Sequence, residues 1–164
     1  MKKDMKAVVA KGALALGAAW LLVRNRSRQA ERAHPPTGQF LDVHGTRLHY
    51  LSQGEGPVIV LLHGNGVIAE DFRHAGLFEQ LACTHRVIAF DRPGFGYSSR
   101  PRGTLWTPAA QAALLAAALE QLGVHRAVVL AHSWGTLVAI SMACLLYTSP
   151  SPRDLSTSRM QSSA

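Results

Sequence analysis

Ala131-His132-Ser133-Trp134-Gly135-Thr136 is the stretch that decides how this chain is read. Ala127-Val-Val-Leu-Ala131 leads into it, and an apolar segment from Trp134 to about Leu146 leaves it. A continuous aliphatic, β-branched run predicts a strand buried on both faces of a parallel sheet. A serine between such a strand and a helix sits on a sharp turn that lifts its hydroxyl above the sheet edge. Ala131 and Gly135 supply the small residues the turn demands, with alanine where the usual small-x-Ser-x-Gly pattern carries glycine. The N–H of Trp134 opens the helix and points toward developing negative charge. Ser133 is therefore the candidate nucleophile, and the Trp134 N–H a candidate oxyanion donor.

Two further buried strands lie upstream, each followed by a loop rich in glycine. Val58-Ile-Val-Leu-Leu62 leads into His63-Gly64-Asn65-Gly66. Gly64 and Gly66 allow close backbone approach to a substrate, and the Asn65 N–H is the candidate second oxyanion donor. His63 reads as a structural histidine bonded to loop carbonyls. Arg86-Val-Ile-Ala-Phe90 leads into Asp91-Arg-Pro-Gly-Phe-Gly-Tyr-Ser-Ser-Arg-Pro101, a tight loop punctuated by Pro93, Gly94 and Gly96. Both loops fall at the carboxyl edge of the sheet, where open α/β folds bind ligands. Asp91 is expected to order its own loop through backbone hydrogen bonds or to pair with Arg92, rather than to act in catalysis. Phe72, Phe95, Trp106 and Trp134 are candidates for an apolar acyl pocket, with core packing as the plainer reading.

The remaining pattern places these strands in an α/β fold. Gln39–His44 and Arg47–Ser52 alternate apolar and polar residues around Gly45-Thr46, which predicts an antiparallel hairpin. Helical spacing covers Glu70–Ala82 and Pro108–Leu122, the second opened by Pro108 and closed by Gly123. An antiparallel hairpin followed by parallel strands with flanking helices is the expected architecture.

The motifs HGNG, DRPGFGYSSRP and AHSWGT, in this order and spacing, resemble the α/β-hydrolase superfamily of the fold-1 type with a serine nucleophile. The resemblance covers about residues 39–143 and reads as an incomplete α/β-hydrolase sheet. It implies Ser133 as nucleophile, the amides of Asn65 and Trp134 as oxyanion hole, and His63, Gly64, Gly66, Asp91, Gly94, Gly96, His132 and Gly135 as structural parts of the motifs. A serine at the elbow argues against the epoxide hydrolases and dehalogenases of that superfamily, which use aspartate. The implied substrate is a small ester-like molecule; no metal and no cofactor is expected. Perhydrolase or C–C hydrolase chemistry on the same residues, and a non-catalytic binding protein of the same fold, are the alternatives.

Charge and hydropathy isolate the N-terminus. The chain has 164 residues and a net charge of +7. Residues 1–33 hold eight basic residues against Asp4 and Glu31, a net of +6, so the remainder is nearly neutral. No basic stripe with interleaved aromatics follows, which excludes nucleic acid as the expected partner. Residues 7–23, AVVAKGALALGAAWLLV, would span about 25 Å as a helix, against about 30 Å for a bilayer core. Lys11 could snorkel and Trp20 could sit at an interface. An uncleaved membrane anchor, a cleaved signal peptide and a soluble amphipathic start are the readings; no small-x-small site follows, which favours the anchor. The expected location is a bacterial inner membrane. Residues 1–24 are thus read as the anchor, 25–38 as a polar linker ending at Pro35-Pro36, and 39–143 as the partial hydrolase domain. Residues 144–164 are Ser/Pro/Arg-rich and are expected to be disordered. The string CLLYTSPSPRDLSTSRM resembles translated sequencing-adapter read-through, so native sequence is expected to end near Ala143, a natural tail being the alternative. Cys83 and Cys144 are too few for a disulfide framework and lack zinc-site spacing.

One part of the chemistry is missing. In this fold the triad follows the chain order Ser, Asp or Glu, His. The eight histidines are at positions 34, 44, 49, 63, 74, 85, 125 and 132, all before Ser133. The single carboxylate after it is Asp154, in the suspect tail. His132 adjoins the serine, but neighbours at a strand end point in different directions, so it is expected to pack beside the elbow. The expectation is a truncated hydrolase: inactive as written, poorly soluble, and with 127–131 left as an exposed edge strand.

Overall fold

The computed structural model describes residues 2–148, with side chains from 11 to 145. The chain forms two compact units, Met1–Thr37 and Gly38–Ala164. The first contains one helix, α1 (Lys2–Ala33). It runs through most of the segment read as a linker. Arg24, Arg26, Arg28, Gln29, Ala30, Glu31 and Arg32 include strong helix formers, and Pro35-Pro36 supplies the stop. Among the described residues no helix is long and apolar enough to cross a membrane. The transmembrane expectation for residues 7–23 is therefore not supported: between Lys11 and Arg24 the uninterrupted apolar run is only 12–23.

The second unit is built on a five-stranded sheet: β1 (Gln39–Val43), β2 (Thr46–Gln53), β3 (Val58–Leu62), β4 (Arg86–Phe90) and β5 (Val128–Ala131). The strand order is β1-β2-β4-β3-β5. β1 and β2 form the expected hairpin, but the register pairs Val43 with Thr46, so the turn is His44-Gly45 and not Gly45-Thr46. Both turn residues have positive φ, +50° and +74°, as a two-residue hairpin turn requires. β2 runs antiparallel to β4, while β3 is parallel to both β4 and β5.

Helices cover both faces of the parallel part. Val60 and Leu62 of β3 pack with Ile88 and Phe90 of β4 against α4 (Pro108–Gln121) and α5 (Trp134–Thr148). Ile59 and Leu61 face the other way and pack with Val87, Ala89 and Phe78. Phe78 belongs to α3 (Leu77–Ala82), which follows α2 (Glu70–His74). The single helix expected over Glu70–Ala82 is split because Gly76 adopts a left-handed φ of +71°. Thr107 caps α4 by accepting the Ala110 N–H at 3.1 Å, with Pro108 in the first turn.

Among the described residues β5 is an outer strand. Val128 and Leu130 are 65% and 42% exposed, and Leu137 and Ile140 of α5 also face solvent. Such an apolar edge is a template for association. α5 continues to Thr148, past the expected end of native sequence near Ala143. Most of the tail expected to be disordered, residues 149–164, lies outside the described residues.

Candidate active site

The parallel register sets Leu62 beside Ala131, so β3 and β5 end at the same level of the sheet. The His132 N–H donates to the Leu62 carbonyl at 3.0 Å and extends this pairing by one step. The chain then reverses. Ser133 takes a left-handed φ of +52°, a conformation that costs a non-glycine residue about 1–3 kcal/mol. The Gly135 and Thr136 N–H groups bond the His132 and Ser133 carbonyls at 3.0 Å and begin α5. The Trp134 N–H, first of the helix, has no acceptor within it. Ser133 and His132 are both exposed.

Glycines make this crossing possible. A Cβ on Gly135 would lie 2.6 Å from the Leu62 carbonyl oxygen and 2.7 Å from that of His63. Both neighbours are backbone, so α5 would have to move off β3. Gly135→Ala is expected to cost roughly 1–3 kcal/mol in denaturant unfolding, the usual range for overpacking. Gly64 lies across the site: a Cβ there would come within 2.9 Å of the Ser133 Cβ and 3.1 Å of His132 Nδ1. The structure thus brings Gly64, His132 and Ser133 together.

Arg92 ties the remaining parts. Its side chain is buried, 1% exposed. Nε donates to the His63 carbonyl at 2.8 Å, and Nη2 to the Gly64 carbonyl and Asn65 Oδ1, each at 2.9 Å. Nη1 donates to Gln111 Oε1 on α4 at 3.2 Å. The guanidinium lies over the rings of Phe95, at 4.5 Å, and Trp134, at 4.7 Å. Every bonded acceptor is neutral, and burial draws the group below its ordinary pKa. One cation therefore holds the Asn65 loop and stacks on the residue carrying the other candidate donor. Phe72 packs against one core cluster, and Trp106 and Trp134 pack against the other. A small apolar cavity lined by Leu119, Val124, Val129 and Met142 lies at the amino end of β5, away from Ser133.

His63 bonds a carbonyl of its own loop. Its Nε2 accepts the Arg92 N–H at 2.9 Å, which leaves Nδ1–H to donate to the Gly64 carbonyl at 2.7 Å. Protonation would set two N–H groups against each other. Burial, aided by the charge of Arg92, lowers the His63 pKa from 6.5, against the opposing bond to Gly64. The unfolded chain therefore binds a proton that the folded chain refuses. Stability from this group is fully present above about pH 6.5 and drains as pH falls from there toward the folded value. The difference between the wild-type and His63→Gln stability profiles is expected to open below pH 6.5 and stay flat above pH 7.5.

Asp91 does order its own loop, but it does not pair with Arg92. Oδ1 accepts the Ala69 N–H at 2.8 Å; Oδ2 accepts the Tyr97 N–H at 3.0 Å and bonds His49 Nδ1 at 2.8 Å. Burial pushes its pKa up, but these bonds outweigh it and hold the carboxyl below its ordinary value. Gly96, at φ +50°, is required because a Cβ there would overlap this carboxylate. Gly94, at φ +84°, turns the same loop against the Arg100 side chain, and Gly66, at φ +76°, turns the exposed end of the Asn65 loop. Adjacent residues leaving a strand point to opposite faces. Asp91 meets Ala69 on one side and Arg92 meets Gln111 on the other. That alternation was the available signal against an Asp91–Arg92 pair. His49 resembles a catalytic partner of Asp91, yet its Nε2 accepts the Gly38 N–H at 3.2 Å. β2 also lies three strand steps from β5, about 14 Å at the usual spacing. The His49–Asp91 pair does not serve Ser133.

An open α/β sheet with a left-handed serine between a parallel strand and a helix, facing a glycine loop from the adjacent strand, defines a hydrolase-type elbow. The family described as the alpha/beta hydrolase fold matches residues 57–152, and this chain belongs to it. Epoxide hydrolase 3 of Siraitia grosvenorii is 32% identical over 100 residues, 60% of this chain and 31% of its own length. Haloalkane dehalogenase 2 of Mycobacterium tuberculosis is 29% identical over 110 residues, 67% of this chain and 38% of its own. The crystal structure of Cfl2 from Burkholderia cenocepacia superposes with a TM-score of 0.63 at 34% identity, covering 70% of this chain and 40% of that one. The chain spans about a third of the length of the curated relatives it matches.

Proposed function

We propose that Ser133 is the nucleophile of a hydrolase acting on carboxylic esters through an acyl-enzyme. The observation that carries this reading is a serine, not a carboxylate, in the strained left-handed position at the elbow. The relatives named for epoxides and haloalkanes act, by those names, on saturated carbon. A serine that attacked saturated carbon would form an ether, which water does not resolve. A serine that attacks a carbonyl forms an ester, which a second tetrahedral intermediate hydrolyses. The Asn65 and Trp134 N–H groups are proposed to receive the oxyanion in both steps. Arg92, through its bonds to the Asn65 loop, is proposed to position the first of these donors.

A serine hydroxyl needs a base, and no histidine follows Ser133. The matched relatives are about three times as long as the region they share with this chain, so the acid and base are proposed to lie outside this chain, and the proposal concerns that longer gene product. The test is a substrate comparison on that product. Turnover of p-nitrophenyl acetate without turnover of styrene oxide or 1-chlorobutane supports the reading. Turnover of either of the last two without the ester contradicts it. Residues 7–23 are proposed as the membrane contact of the same protein.

A further inference from the structure

Resting on that reading of residues 7–23, we propose that α1 inserts its apolar middle into a bilayer rich in anionic lipid, and that the flanking cations select the headgroup charge. The apolar run 12–23 has no polar side. Leu14, Leu16, Trp20, Leu21, Leu22 and Val23 are each more than half exposed. At 100° per residue they fall around the whole circumference of the helix. A helix apolar all round belongs in a large core or in lipid. An acidic protein or a nucleic acid would satisfy the charges and leave this girdle in water.

The charges bracket the girdle. Lys2, Lys3, Lys6 and Lys11 precede it; Arg24, Arg26, Arg28 and Arg32 follow it, with Asp4 and Glu31 the sole acidic residues. The Arg24 guanidinium lies 5.0 Å from the centre of the Trp20 ring. An aromatic ring beside a cation at the end of an apolar run suits the headgroup boundary. Each basic residue near an anionic surface strengthens binding by about fivefold.

The full chain, synthesised in the presence of vesicles and floated on a density gradient, tests this, because aggregates sediment while bound protein rises. It is expected to float with phosphatidylcholine vesicles containing one-third phosphatidylglycerol, and at least roughly tenfold less with phosphatidylcholine alone. Replacing Arg24, Arg26, Arg28 and Arg32 by glutamine is expected to lower that preference at least about fivefold. Leu16→Asp with Leu22→Asp is expected to abolish flotation. Equal flotation on both vesicles overturns the anionic selectivity and leaves the membrane reading standing. Protein that stays at the bottom with both overturns the membrane reading itself. Release by duplex DNA from anionic vesicles, with the girdle intact, would point to nucleic acid and contradict the proposal.

Discussion

Replacing Ser133 with alanine is expected to lower ester turnover by roughly a millionfold in the longer, base-containing product, the scale seen when a serine nucleophile is removed. The fold is expected to survive, since the hydroxyl is exposed. Ser133→Gly separates function from stability further. Glycine adopts φ +52° without the penalty a side chain suffers there. After the entropy glycine gains in the unfolded chain, the variant is expected to be about 1 kcal/mol more stable than wild type. It should be equally inactive. A site that is more stable without its nucleophile is what strain retained for function predicts. Loss of stability in Ser133→Gly, measured by denaturant melts, would mean the left-handed turn has another cause.

Arg92→Met is expected to destabilise the domain by roughly 2–4 kcal/mol, the cost of the buried neutral acceptors it leaves without a donor. Methionine fills similar space but donates nothing. The His63 and Gly64 carbonyls, Asn65 Oδ1 and Gln111 Oε1 would each lose a donor. A buried acceptor left unsatisfied costs about 1–3 kcal/mol, less where water can enter, as it can at exposed Asn65. Domains are stable by about 5–15 kcal/mol in all, so a loss of this size takes a large share of the total. Arg92→Lys keeps the charge but not the planar fork that reaches both Nη2 acceptors and Nε's. It is expected to recover less than half of the loss. If Arg92→Lys matched wild type in thermal melts, charge alone would be the cause and the hydrogen-bonded fork would be incidental.

The elbow was legible because its signals are local. An aliphatic run, a small-x-Ser-x-Gly turn and a helix start lie within about twenty residues, and each fixes its own backbone. The glycine loop was legible for the same reason, and parallel register then brings Gly64 to Ser133 without further information. The partners of Asp91 were not legible. His49 is 42 residues away and Ala69 is 22, and their meeting depends on which strands neighbour each other. Of the two roles the sequence offers Asp91, loop ordering holds, and the pair with adjacent Arg92 is the one strand alternation forbids. The polarity of residues 25–33 suggests a linker, yet arginine, glutamine, alanine and glutamate favour helix, and α1 extends to Ala33. Gly76 broke a helix whose apolar spacing continued across it, since backbone conformation at a glycine leaves no mark on the hydropathy pattern.

Ser133 is proposed to attack a carbonyl and to carry the acyl group. Brief reaction of the longer product with a p-nitrophenyl ester, acid quenching and peptide mass spectrometry test it most directly. An added acyl mass is expected on the peptide containing Ser133, absent after Ser133→Ala. Turnover with the acyl group on another residue, or an alkyl adduct from an epoxide at this position, would contradict it.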